Sequence, residues 1–417
     1  MKPTRIAVLA FKNLFRHRRR TMITSGAVAV GLLMFILVDS ILLGVEEESN
    51  RNLIWYETGA AQVIHRGYLD EREDHPLKYP IEDASAVEAE LEEAGLEATS
   101  RIVFTGELIV FRDPFPEDGS VVITGYGIDP EDDDQVYRLP RTVTSGSFLR
   151  RGEHTALLGS WLAEDIGAEV GYPITIVTRT QEGYFQTIDL EVGGIVTTPN
   201  PVINRNAVFL PEDIAALHLQ MEGSATEIAV AEKTGLTLDE ITGEMEMQIA
   251  GVPDLVVADW RTLGADAVAI AETKETGTGV ILLLVFVIAA VGVSNTVLMS
   301  VLERTRELGM MRAIGMRDRE ITGTLLAEAA GIGLLGGIVG VVLGAGGVAL
   351  LAEYGIDYGT MLRDASVGYR VTQVIYGAWN PPVFARAVVI GVVISVVTAF
   401  MPVRRALKMP VVDALRE

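Results

Sequence analysis

The chain has 417 residues, 49% of them hydrophobic, a formal net charge of −22 and no cysteine. Its length gives room for about two domains, and a mean hydropathy of +0.32 is higher than a soluble protein needs. Disulfides, thiolate metal sites and cysteine nucleophiles are excluded, and part of the chain is expected in lipid.

Residues 1–21 place Ala7, Phe11, Leu14 and Phe15 on one helical face, with Lys12, Arg16 and Arg18 to Arg20 toward the end. This pattern predicts a cytoplasmic interfacial amphipathic helix. Residues 22–45 form the first apolar run long enough to span. The run is too long for a cleavable signal, and no small-residue cleavage site precedes Glu46 to Glu48, so it is expected to stay as an anchor. No further run of that length occurs in residues 46–276. Residues 46–275 hold 45 acids and 15 bases, against 11 and 19 elsewhere. This acidity suits either a salt-rich habitat, where repulsion is screened, or a cationic partner.

Within the outer region a helix continues to about Ile54. TGAAQVIHRGYLD then reads as a strand with a turn at Arg66-Gly67, and Ala84 to Gly95 reads as a helix. Strand signals follow at Ala98 to Phe104, Leu108 to Phe111, Val121 to Tyr126, Ile174 to Thr178, Thr187 to Val192 and Ala207 to Leu210. Pro114, Pro116 and Gly119 mark a hairpin-like excursion, and Thr198 to Asn204 an exposed loop. Asp129 to Asp134 lacks the glycine and final glutamate of a calcium loop and reads as a solvated acidic turn.

Three more apolar runs, 277–302, 322–351 and 384–401, complete four spans. The expected fold is a membrane protein: four transmembrane α-helices with a large α+β extracytoplasmic domain, 46–276, inserted between helices 1 and 2. Basic residues gather at Lys2 to Arg20, Arg304 to Arg319 and Arg404 to Arg416. The positive-inside rule therefore places both termini and segment 303–321 in the cytoplasm, with 352–383 an outer loop and 402–417 a tail after a helix ended by Pro402. Gly336, Gly340 and Gly344 form small-xxx-small steps for close helix packing. They read as intrachain packing, with a seam between copies as the alternative. Asp39 and Arg386, near the outer ends of their helices, either pair or snorkel. Glu328, near the cytoplasmic end of the third span, has no role readable from sequence.

No phosphate loop, H-E-x-x-H helix or G-x-S-x-G elbow occurs, and the five histidines show no ligand spacing. The expectation is a chain without catalysis, bound cofactor, metal site or nucleic-acid partner.

Several ordered stretches carry a resemblance. VLERTRELGMMRAIGMRDREI at 301–321 has Glu303, Arg304, Arg306, Glu307, Gly309, Arg312 and Gly315, and LLGSWLAEDIGAEVGYPITI has Gly159, Leu162, Ala163, Gly167, Val170 and Gly171. With Val192 to Val196, Val208 to Pro211 and the closing Pro402, Arg404, Arg405, Ala406, Pro410, Val411, Ala414, Leu415 and Arg416, these resemble MacB/FtsX-type ABC transporter permeases over nearly the whole chain. TGAAQVIHRGY and DWRTL are more similar to the lipoprotein-releasing branch.

The resemblance implies a non-catalytic permease subunit in the cytoplasmic (inner) membrane, working with an ABC ATPase subunit and a second permease copy or paralogue. Glu303, Arg304, Arg306, Glu307 and Arg312 would form the ATPase-coupling segment, with Arg304, Glu307 and Arg312 making the contacts. ATP and Mg would sit on the partner ATPase, and its motion would pass through the membrane helices to the outer domain. MacB carries its ATPase ahead of the first span. This chain begins at the interfacial helix, so a separate ATPase subunit is expected. Lipoprotein release is the first expectation for function, efflux of a peptide, antibiotic or other amphiphile the second, and activation of cell-wall hydrolases the third. A membrane-anchored receptor or scaffold without ATP coupling is the reading from another class.

Overall fold

The computed structural model describes residues 18–110, 119–266, 268–269, 305–357 and 374–406, with isolated positions between 279 and 299. In chain order these residues form α1 (Arg18–Leu53), a π-helical turn (Ile54–Thr58), β1 (Ala61–His65), α2 (Arg66–Asp70), α3 (Ala84–Glu93), β2 (Ala98–Ile109) and β3 (Ser120–Ile128). There follow α4 (Asp133–Val136), β4 (Val143–Gly146), β5 (Thr155–Gly159), α5 (Ser160–Ile166), β6 (Pro173–Arg179), β7 (Phe185–Val196), α6 (Pro201–Asn206) and β8 (Ala207–Pro211). The outer domain ends with α7 (Glu212–Leu219), β9 (Glu227–Val230), α8 (Leu238–Ile249), β10 (Leu255–Asp259) and α9 (Trp260–Leu263). Last come α10 (Thr305–Ala313), α11 (Asp318–Tyr354), β11 (Ile356–Asp357), β12 (Val374–Ile375) and α12 (Pro381–Ala406). The chain divides into a membrane unit, Met1–Glu47, Ala271–Asp357 and Val374–Glu417, and an outer unit, Glu48–Ile270 with Tyr358–Gln373.

Among the described residues three helical stretches are long and apolar enough to cross a membrane: Thr21–Thr58, Asp318–Tyr354 and Pro381–Arg405. Most of the expected second span, 277–302, and the interfacial helix before Arg18 lie outside the described residues. α11 begins earlier than the apolar pattern suggests because Asp318 and Glu320 occupy its first turn, where carboxylates complement the helix dipole. It stops at Gly355, whose φ of +63° suits glycine and whose N–H donates to the Leu351 carbonyl at 3.0 Å. Pro402 does not end α12, which continues to Ala406. Proline removes one N–H and crowds one preceding carbonyl, a local disturbance that a helix passes through near its end.

The outer unit is α+β. Its ten-stranded sheet follows the order β10-β1-β9-β2-β3-β8-β5-β7-β4, and β6 pairs with both β2 and β7. These pairings close β2, β3, β8, β5, β7 and β6 into a ring, with parallel pairs at β3/β8 and β5/β7. The largest core cluster packs strand residues Phe104, Leu158, Ile176, Ile188 and Val208 with Leu162 of α5 and Ile214 of α7. β1, β9 and β10 extend the same sheet beyond β2 and are covered by α3 and α8 through Val63, Ile228, Leu91 and Met245.

Several expectations are corrected here. The two strands expected at 98–104 and 108–111 are one, β2. It stays continuous through Gly106 because a Cβ there would lie 2.8 Å from the Ile176 side chain on β6, so the missing side chain admits the neighbouring strand. Arg66-Gly67 opens the short helix α2, capped by the His65 ring, which accepts from the Gly67 N–H at 3.0 Å. Thr198 to Asn204 is not an exposed loop: Thr198, Asn200 and Asn204 are buried. The Asn204 amide satisfies the Thr198 backbone in both directions, and Asn200 caps α6 at the Val202 N–H. The acidic turn is not wholly solvated either, since Asp133 is fully buried. In the outer loop, β11 and β12 pair antiparallel, an element the sequence reading lacked.

Candidate functional site

The charged segment between the second and third apolar runs folds as a short helix and a locked turn. α10 ends in a Schellman motif: the Met316 N–H donates to the Met311 carbonyl and the Gly315 N–H to the Arg312 carbonyl, both at 3.0 Å. Gly315 supplies the required positive φ, +99°. The Arg317 N–H then donates to the Glu320 carboxylate at 3.1 Å, and Arg312 Nε meets Asp318 Oδ1 at 3.1 Å. The turn between α10 and α11 is thereby held from both sides.

Leu308 is the buried residue that seats α10, in a cluster with Ile321 and Leu325 of α11 and Ala399 and Val403 of α12, while Met311 and Met316 pack at its edge. The opposite face is open. Arg306, Met310, Ala313 and Ile314 fall at i, i+4, i+7 and i+8, and all are exposed, Ile314 at 85%. Arginine and methionine are among the residue types enriched at protein–protein interfaces, and here they share one face with a bare isoleucine.

Of the residues expected in the coupling segment, Glu303 and Arg304 lie outside the described residues. Arg306 is on the open face, Glu307 is half-buried, and Arg312 is engaged by Asp318. The structure groups Arg306 with Met310 and Ile314. Sequence reasoning followed the charges and missed these two apolar residues, although their four-residue spacing from Arg306 was present in the sequence.

α11 carries the glycine stripe. A Cβ on Gly336 would lie 2.8 Å from the Ser25 carbonyl, on Gly340 3.0 Å from the Ala29 carbonyl, and on Gly344 2.8 Å from the Ile36 side chain, so all three face α1. Gly333 and Gly337 face α12 in the same way, at Gly391 and Val388. The glycines thus permit a three-helix contact too close for any side chain. The partner seen for Asp39 is Asn380, whose side-chain amide donates to it at 3.0 Å, and Arg386 is exposed.

Two polar clusters lie in the outer unit. Arg101 is buried, donates twice to Asp133 Oδ1 at 2.9 and 2.6 Å, and stacks on Tyr137 with 3.2 Å to the ring centre. Burial opposes its charge, but Asp133 and Tyr137 hold its pKa above the ordinary value, while burial pushes the Asp133 carboxyl up. Nearer the surface, Ser100 Oγ lies 3.4 Å from Glu88 and 3.1 Å from Glu212. Burial pushes both carboxyls up to about 7. Among the described residues no group of three or more His, Cys, Asp or Glu is arranged to hold a metal.

Comparison with known proteins matches residues 21–248 to the MacB-like periplasmic core domain and residues 279–411 to the FtsX-like permease C-terminal domain. An uncharacterized ABC transporter permease of Methanocaldococcus jannaschii is 21% identical over 100% of this chain and 98% of its own length. The pyoverdine export ATP-binding/permease protein PvdT of Pseudomonas fluorescens is 25% identical over 66% of this chain. The macrolide export ATP-binding/permease protein MacB of Brucella abortus is 31% identical over 37% of it. The chain spans 40% and 21% of the lengths of these last two.

Proposed function

Because this chain belongs to the MacB/FtsX-type family of ABC transporter permeases, we propose that it converts the motion of a partner ATPase subunit into work done by its outer domain. The observation that carries this reading is α10, a helix locked at its C-terminus and seated by Leu308 against α11 and α12, with Arg306, Met310 and Ile314 left open. An ATPase pressing on that face moves the bases of two long apolar helices together, since the Schellman turn and the Arg312–Asp318 pair leave little slack. The chain works as one of two permease copies or paralogues in the cytoplasmic membrane, with both termini inside. The substrate is handled outside the bilayer. Ionisable side chains in the described apolar helices are few, which suits a transmitter of motion better than a polar channel.

The substrate class is an amphiphile that the outer domain expels, as the printed names of the pyoverdine and macrolide export relatives suggest. A second reading, lipoprotein release, is favoured by one observation. The two stretches that resemble the lipoprotein-releasing branch meet in the outer unit: Ala61, at the start of β1, pairs with Asp259, the last residue of β10, and the rest of DWRTL forms α9.

The test is ATP hydrolysis by the purified permease–ATPase complex in nanodiscs, with a macrolide or siderophore in one series and a triacylated lipopeptide in the other. Stimulation of at least threefold by the small amphiphiles alone supports export, and stimulation by the lipopeptide alone supports lipoprotein release. ATP hydrolysis that responds to neither, by a complex shown to be intact, contradicts both substrate assignments.

A further inference from the structure

The outer unit contains a cleft of about 730 Å³ that none of the motifs above accounts for. Its walls include Trp55 from the π-helical turn, Arg138 and Arg141 from the segment after α4, and Trp260 at the start of α9. Trp55 lies ten positions beyond Val45, where the first apolar run ends. Both tryptophans carry a guanidinium on the ring: Arg138 at 3.5 Å from the centre of Trp55, and Arg261 at 5.2 Å from that of Trp260.

The charge balance of the cleft differs from its surroundings. Acids outnumber bases three to one over residues 46–275, whereas the lining holds Arg138, Arg141 and Lys233 against Glu97, Asp134 and Glu232. Among the described residues no carboxylate lies within ion-pair distance of Arg138, and Arg141 has only a loose 3.8 Å approach to Asp134 between two exposed side chains. Stacking on Trp55 holds the Arg138 guanidinium in one plane and leaves its N–H edge free for an oxyanion. The volume lies within the range of small-ligand pockets. Tryptophan and arginine are also residue types that settle at a lipid headgroup layer.

We propose that the Trp55–Trp260 cleft is a binding site for a phosphate-bearing group, gripped by Arg138 and Arg141 and flanked by the two indoles. A membrane lipid headgroup and a soluble phosphate ester share this chemistry, and the assignment is independent of the ATPase-docking face.

The experiment is a tryptophan-fluorescence titration of the full chain in mild detergent with short-chain phosphatidylglycerol, short-chain diacylglycerol and glycerol phosphate. Phosphatidylglycerol is expected to give a saturable change that Trp55→Phe largely removes. Arg138→Gln/Arg141→Gln should weaken its binding at least tenfold, while Arg150→Gln, at an exposed site elsewhere, leaves it unchanged. If the double variant melts early, Arg138→Lys reads the same point: it keeps the charge, loses the planar fork and should bind several-fold more weakly. Glycerol phosphate binding as tightly as the lipid identifies a soluble ester, and binding by the lipid alone identifies the headgroup. Equal titration by diacylglycerol and phosphatidylglycerol, or wild-type affinity in a folded Arg138 variant, overturns the proposal.

Discussion

Ser100 has one proton to donate, yet two carboxyls lie within reach of its hydroxyl. If both Glu88 and Glu212 are ionised, the hydroxyl proton serves only one of them, and the charge of Glu88 opposes that of Glu212. Burial has the same consequence, pushing both carboxyls from 4.5 up to about 7. A folded-state pKa above the unfolded value means that the native chain holds a proton that the unfolded chain has released. Stability from this pair is therefore complete below about pH 4.5 and is lost as the pH rises through about 7. Glu212→Gln supplies a permanent N–H donor without the titration. In thermal melts of the detergent-solubilised chain, it should stabilise by about 1 kcal/mol at pH 8 and by progressively less toward pH 5. An equal effect at both pH values would show that the pair does not share a proton. None of this was legible in the sequence, where Ser100, Asn200, Asn204 and Asp133 look like surface residues. Asp133 and Ser100 meet partners far along the chain, Arg101 and Glu212, and Asn200 and Asn204 are buried by the packing around their own turn; polar type alone carries no record of either.

At the scale of elements, the long apolar helices and the longer strands of the outer unit were readable because hydropathy and alternation are local. β4, β5, β9 and β10 were missed: VTSG, TALLG, EIAV and LVVAD are runs of four or five residues without a clear period, held in place by their neighbours in the sheet. The reverse holds for β2, where Thr105-Gly106-Glu107 interrupts the apolar pattern of a strand that pairing on both edges keeps whole. Glycines in α11 permit a sharper test, since the same helix contains a glycine with nothing near it. A Cβ on Gly336 would lie 2.8 Å from the Ser25 carbonyl and from Val28, whereas one on Gly346 meets nothing within 4 Å. Gly336→Ala should destabilise by about 1–3 kcal/mol through overpacking, and Gly346→Ala should be neutral or gain up to about 1 kcal/mol in helix propensity. Thermal unfolding of the two variants in one detergent checks this, and equal melting temperatures would place the stripe away from a tight contact.

On the scale of the whole molecule, the family and the division into a membrane unit and an acidic outer unit were legible from ordered motifs and from charge. The proposed docking face was legible only in part. Arginines stand out in a charged segment, but whether an arginine faces a partner or a neighbouring carboxylate depends on the turn that follows, and the turn at Gly315 directs Arg312 to Asp318. The account therefore rests on Arg306, Met310 and Ile314 as the surface through which ATP hydrolysis reaches the outer domain. The most direct measurement is affinity purification of the tagged chain with its ATPase partner, followed by ATP hydrolysis, for wild type, Arg306→Glu/Ile314→Asp and Arg150→Glu. The account predicts a stoichiometric ATPase with wild type and Arg150→Glu, and its loss, with at least a tenfold fall in permease-dependent hydrolysis, for Arg306→Glu/Ile314→Asp. A folded double variant that retains both the ATPase and its coupled activity, or a wild-type chain that purifies without any ATPase, would contradict it.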